Sequence, residues 1–442
     1  MQNELFEKTP IPKAYLKLAM PVVLSSVLTL VYNLVDTYFI GRTGNADLVA
    51  GVALCAPVFT LLIAMGDIFG LGGSSVISRL LGAGKKEDAG RMSVFCLDGA
   101  FVFGIFVAIV LLVFQHPVLS MLGATAQTVE HAHAYYFWIA LGSPFVILAL
   151  APTNLLRTEG HAVQAMIGSV LGSIVNIILD PVFIFGLNMG AGGAALATII
   201  GNICSDIFYV LFIHFKADVL TMNLKGFHIN GNEAGQILGI GVPSSITNLV
   251  QSIGVVILNH FLLSYGNDKI AAYGIVSKII MIVVMILVGF AFGGQPLYGY
   301  LYGAKNHERL KKAMKFAYEL ETGIAIVVSV ILYVSASSMI GLFMKNPQIV
   351  STGIPMMRAY LLGMPFEAIV LVTTCLFQST GKAWQALILS AGRQGVFYAV
   401  IIMILNALFA FQGVIHAQAL SDVVTAVIAV ILLKRTLMPE LK

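Results

Sequence analysis

The chain has 442 residues, 58% of them hydrophobic and only 10% Asp, Glu, Lys or Arg, with a net charge of +4. A soluble domain carries about 25% charged residues, and a water-facing surface cannot be assembled from so few. Composition therefore excludes a cytosolic enzyme, a nucleic-acid binder and a disordered chain, and leaves a polytopic membrane protein.

A membrane helix takes about 20 mostly apolar residues. In chain order such stretches lie near 16–40, 51–78, 93–115, 134–156, 164–187, 191–214, 236–264, 271–299, 316–343, 355–379, 386–410 and 414–433. The spacing predicts an all-α protein of twelve transmembrane helices. A β-barrel is excluded because the runs are continuously apolar rather than alternating. The start MQNELFEKTPIPK is polar, and the run after it is too long for the core of a cleavable signal. Residues 216–235 (KADVLTMNLKGFHINGNEAG) form the longest polar connection and read as a cytoplasmic linker between two six-helix lobes, 1–215 and 236–442. Twenty of the 25 Lys and Arg fall on the side that holds both termini, with Arg393 counted there at the flank of loop 10–11. By the positive-inside rule that side is the cytoplasm.

Acids inside the spans are the functional candidates, because a charge at the helix centre costs about 2.5–3.5 kcal/mol on insertion scales. They are Asp36, Asp67, Asp180, Asp206, Glu367 and Asp422. Asp206 and Asp422 read as interfacial or helix-bonding groups. Asp36 and Asp180 stand out, since Asn33 and Asn176 sit about one turn before them on the same helix faces. Asp plus Asn from neighbouring helices makes a site for a proton or Na⁺; the plainer alternative is that these groups only cross-link helices. Pro21 lies on the same span as Asp36 and permits a bend there. Cys55, Cys96, Cys204 and Cys375 fall in apolar runs and read as small apolar residues, with no metal site expected.

The chain also repeats itself. Residues 142–165 align without gaps on 363–386 with ten of 24 positions identical, and 81–93 fall on 302–314 at the same separation of 221. At 222, Pro21 meets Pro243 and Gly44–Asn45 meets Gly266–Asn267. Six spans separate corresponding segments, an even number, so the halves run the same way through the membrane. That is a parallel repeat about an axis along the membrane normal, suited to alternating access. No phosphate-binding loop is present, since Gly82-Ala-Gly-Lys85-Lys86 lacks the upstream glycine and the Ser or Thr. An ion gradient is the expected source of energy.

Together these residues resemble the multidrug and toxic compound extrusion (MATE) family. The stretches that carry the resemblance are LAMPVVLSSVLTLVYNLVDTYFIGRTG, LGAGKKEDA, NIILDPVFIFGLNMGAGGAALAT, YGAKNHERLKKAM and LFQSTGKA, over about residues 10–435. The resemblance implies a non-enzymatic antiporter of the cytoplasmic membrane that exports organic, often cationic drugs in exchange for H⁺ or Na⁺. It implies no other cofactor, a monomer in the lipid bilayer, small-molecule drugs as partners and no nucleic acid. It places the N-lobe cation site at Asp36, Asn176 and Asp180, with Thr198 as a further member, and the helix-1 bend at Pro21. One branch carries a glutamate eight residues after the span-7 proline; counted from Pro243 that position is Gln251, so the acid is missing. The chain looks closer to the multidrug-export and DNA-damage-inducible branches. Asn33, Asn154, Gln251 and Glu367 are candidates for a substrate cavity. The rivals are a lipid-linked oligosaccharide flippase, which needs basic residues in its cleft, and an integral membrane enzyme, which needs a His, Asp or Arg cluster on one membrane face. Nearly every Lys and Arg reads as a loop or helix-end residue, which disfavours the flippase, and no such cluster is apparent in the sequence, which disfavours the enzyme.

Overall fold

The computed structural model describes residues 4–223, 231–343 and 346–441, nearly all of them helical and none in a strand. In order the helices are α1 (Ile11–Arg42), α2 (Ala46–Leu54), α3 (Ala56–Gly82), α4 (Lys86–Val113), α5 (Gln115–Met121), α6 (Val129–Thr158) and α7 (Ala162–Pro181). The second half has the same plan after α8 (Gly190–Lys216), with α9 (Gly231–Leu263), α10 (Asn267–Gly303), α11 (His307–Phe343), α12 (Pro347–Ser379), α13 (Ala383–Ala391) and α14 (Phe397–Leu432). Wider π-type turns follow α7 at Val182–Gly186 and join α13 to α14 at Gly392–Val396.

Ten stretches are long and apolar enough to cross a membrane, one of them the 55-residue Ala383–Leu437. That stretch is two crossings. Ser421 Oγ donates to the carbonyl of Arg393 at 2.7 Å, whereas a straight helix of 28 residues would hold them about 42 Å apart. The reversal is at Ala410, the only helical residue there with φ of 49°. With α9 as one more crossing, the twelve spans expected from hydropathy are present. Large side chains such as Val102, Phe106, Val334 and Leu342 are exposed on them, which suits a surface solvated by lipid tails.

Two compact units result, Leu24–Ser245 and Phe6–Val23 with Ile246–Lys442. Their boundaries do not fall in the linker. They cut α1 two residues past Pro21 and α9 two residues past Pro243, so each unit holds the start of the other half's first helix. The start of α1 is fixed in its unit by side chains that reach far along the sequence. Tyr15 Oη donates to the carbonyl of Phe290 at 2.9 Å and to Glu321 Oε1 at 3.1 Å. Arg309 binds the carbonyls of Phe6 and Thr9. Gly289 and Gly293 on α10 admit the backbone of Val23 and Ala19, which a Cβ would obstruct. The start of α9 is held likewise, with Gly241 against the carbonyl of Ile68 and Arg91 paired to Glu233 at 3.2 Å. Of the linker, Val219 and Leu220 donate their amides to Glu159 Oε1 at 2.7 Å; residues 224–230 lie outside the described residues.

Within the first unit α6 is the central helix, packed on α3, α4 and α8. In the second, α12 packs on α10, α11 and α14. These two central helices carry the gap-free match 142–165 on 363–386, because a helix enclosed on three sides has the fewest side chains that fit. Each ends in a glycine with left-handed backbone, Gly160 (φ 82°) and Gly381 (φ 80°), where a Cβ would strain the turn.

Candidate functional site

In the first unit α1, α7 and α8 converge. α1 brings Asp36, α7 brings Asn176 and Asp180 one turn apart, and α8 brings Thr198. Asp180, Asn176 and Thr198 are buried and Asp36 is half-buried. The Asp36 and Asp180 carboxyls are neighbours, close enough to act on one another's charge, with no hydrogen bond between them. Asn176 Nδ2 donates to Thr198 Oγ1 at 3.0 Å, and Thr198 Oγ1 donates to the carbonyl of Ala194 at 3.1 Å. Both Asp180 oxygens, Asp36 Oδ1 and Asn176 Oδ1 receive no hydrogen bond from any donor among the described residues. Two neighbouring carboxyls and a carbonyl oxygen, with no basic partner among the described residues, are a donor set for a proton or a small hard cation. The structure thus brings together the four residues that the resemblance implied.

Next to this cluster a cavity of about 300 Å³ is lined by hydroxyls and amides, among them Thr29, Asn33, Thr153, Asn176 and Asn202, and by no charged residue. The lining includes Gly172 of α7 and Gly201 of α8, whose backbones nearly touch: a Cβ on Gly172 would lie 2.7 Å from the carbonyl oxygen of Gly201. Asn154 is not among the lining residues. Its Nδ2 donates to the carbonyl of Leu150 at 2.9 Å and its Oδ1 accepts from Arg157 at 3.4 Å. Pro21 is buried within α1, in the segment that belongs to the other unit.

The second unit holds a different cluster. Arg393, counted from the sequence as a cytoplasmic flank residue, is instead buried in the turn between α13 and α14. It lies eleven residues beyond Lys382, about 16 Å along a helix, and two acids supply the partners that a buried guanidinium needs. Its Nη2 meets Glu367 Oε1 at 2.5 Å and its Nε meets Asp422 Oδ1 at 2.7 Å. Gln418 Nε2 also donates to Asp422 Oδ1, at 3.0 Å. Glu367 and Asp422 are wholly buried. Glu367, with Gln394 and Gln418, lines a cavity of about 350 Å³ walled by Tyr273, Tyr360, Tyr398, Met281 and Met285. The side chain of Gln251 lies outside the described residues.

Two buried acids went unread in the sequence or were read as structural. Glu321, bonded to Tyr15, sits in ERLKKAMKFAYELE, where the surrounding charges look cytoplasmic. Asp206 is buried with neither oxygen bonded to a donor among the described residues.

The MatE family model matches the chain twice, over residues 21–182 and 243–404, at a separation of 222 that matches the internal repeat. The multidrug export protein MepA of Staphylococcus aureus (strain MRSA252) is 31% identical over 428 residues, which cover 97% of this chain and 94% of that protein. An outward-facing multidrug resistance MATE family transporter of the MOP superfamily superposes with a TM-score of 0.91 at 27% identity, covering 97% of this chain and 96% of that one. A MOP superfamily transporter from Pyrococcus furiosus, described as having a binding pocket of reversed polarity and a different function, superposes at 0.93 with 26% identity, covering 100% and 99%.

Proposed function

The chain belongs to the MatE family, and from that premise we propose that it exports organic, often cationic compounds across the cell membrane in antiport with H⁺ or Na⁺. Both termini face the cytoplasm, and the protein works as a monomer. The observation that carries the coupling is the Asp36–Asp180 pair, whose three buried oxygens have no donor among the described residues. Two carboxylates this close repel one another, so a proton or cation between them is needed before α1 and α7 can pack tightly. Losing it drives the helices apart. α1 carries that change along its length, and Pro21 marks where it stops being part of the same unit.

Alternating access then follows from two ligands with opposite preferences for the same states, the coupling ion and the drug. Residues around the two cavities favour a cationic or neutral cargo. Neither lining includes a Lys or Arg, which a flippase of pyrophosphate-linked sugars would need. The test is export from proteoliposomes with pH and Na⁺ gradients imposed separately and no nucleotide. Export of ethidium driven by either gradient supports the reading, and activity seen only with ATP overturns it.

A further inference from the structure

We infer that the cavity of the second unit is a binding site for a monovalent organic cation, and that Arg393 sets the valence it accepts. This rests on the export reading and adds to it a site and a selection rule. With both acids ionised, Glu367, Arg393 and Asp422 together carry one net negative charge, held where none of the three is more than 6% exposed. A net charge that deeply buried is costly until a counter-charge arrives. Glu367 is at the cavity wall, and its Oε2 has no hydrogen-bond partner among the described residues. One positive charge in the cavity balances the cluster; two overshoot it.

The rest of the lining fits the body of such a ligand. Tyr273, Tyr360 and Tyr398 supply aromatic faces that attract cations, and Met281 and Met285 adapt to varied shapes. A volume of about 350 Å³ admits a compact one- or two-ring ligand. The other half of the repeat provides an internal control. At the offset of 221, Glu367, Arg393 and Asp422 correspond to Val146, Gly172 and Gly201, which all line the first unit's cavity. The same three positions are uncharged there and charged here, so valence selection belongs to the second unit alone.

The test uses two flat cations of nearly equal shape that differ by one charge, N-methyl-4-phenylpyridinium and methyl viologen, titrated calorimetrically into the purified full-length protein. The wild type should favour the monocation. Arg393→Met makes the net charge −2 and should move the preference toward the dication by on the order of tenfold. Arg393→Met with Asp422→Asn returns the net charge to −1 and should restore the wild-type order, a rescue that a purely structural role would not give. Glu367→Gln makes it zero and should weaken monocation binding by a similar factor. If Arg393→Met does not fold, the double variant and Glu367→Gln decide the matter. An unchanged preference in a folded Arg393→Met, a double variant that favours the dication, or full monocation binding in Glu367→Gln each overturn the inference. Gradient-driven export of organic cations with no such valence dependence removes this site and leaves the export reading standing; a wild type that neither binds nor exports either cation removes both.

Discussion

In the unit formed by Leu24–Ser245, the candidate coupling charge is a pair of carboxyls, Asp36 on α1 and Asp180 on α7, with no basic partner among the described residues. In the unit that holds Ile246–Lys442, it is two carboxyls closed around Arg393. The repeat makes the contrast sharper. Asp36 and Asp180 fall on Leu258 and Ile401, while Arg393 and Asp422 fall on the touching glycines Gly172 and Gly201. One helix crossing is thus filled by backbone in one unit and by an ion pair in the other. A duplicated scaffold fixes where helices meet and leaves open which chemistry occupies the meeting point. An unpaired carboxyl pair can take up and release an ion; a pair already holding a guanidinium is a fixed charge.

The largest expected effect tests that division of labour. Asp36→Asn and Asp180→Asn should each reduce gradient-driven export to background at near-normal protein levels, because an amide keeps the shape but cannot exchange a proton. Gln251→Ala and Glu367→Gln should keep their dependence on the imposed gradient. Loss of gradient dependence in Glu367→Gln, with full activity in Asp36→Asn, would place the coupling site in the second unit.

Next in size is stability. Arg393→Met strands two buried carboxylates, and breaking such a cluster costs about 3–5 kcal/mol. Equilibrium unfolding in detergent should show that loss, and the triple replacement Glu367→Gln, Arg393→Met, Asp422→Asn should recover most of it. Asp36→Asn has no cation to strand and should leave stability level or higher. Gly172→Ala comes third, at about 1–3 kcal/mol of overpacking. It forces α7 off α8, and it should impair export by distorting the cavity those helices wall.

The smallest effect lies outside the membrane. Burial opposes the charge on Glu440, but hydrogen bonds from Lys382 (2.6 Å) and Tyr302 (2.8 Å) outweigh it and hold the carboxyl below the usual glutamate range. A group lowered in the folded state stabilises it above its unfolded pKa and stops doing so as pH falls through the folded value. Amides of 433–441 should therefore lose protection, relative to their intrinsic exchange rates, only as pH drops through and below the ordinary glutamate range. An exposed bridge of this kind adds little, so export should not notice.

How much of this was legible depended on contrast. Asp36 and Asp180 were visible because a single acid in VYNLVDTYFIG or NIILDPVFIFG has nothing to hide among. Twelve spans followed from run length, the division of Ala383–Leu437 into 386–410 and 414–433 included, and Ser421 meeting Arg393 shows the chain turning back there. Arg393 was misplaced because the loop Gly381–Lys382 drew it to the cytoplasmic side, although counting rise per residue would have placed it deep in the span. Glu321 was hidden among six neighbouring charges, and its partner Tyr15 is 306 residues away, a distance no local pattern spans. The swap of first-helix segments is of the same kind: Pro21 and Pro243 were paired by the repeat, yet nothing local told which unit each preceding segment joins.

That swap has a consequence for how the chain is made. Tyr15 leaves the ribosome 275 residues before Phe290, its backbone acceptor, an interval of roughly 15–55 s at ordinary synthesis rates. Throughout that time the start of α1 has no final neighbour and must stay in the bilayer unclaimed. The first half therefore cannot be completed as it emerges, and neither half carries all of its own walls. Severed at the linker, the two halves should regain the native arrangement only when both are produced in the same membrane.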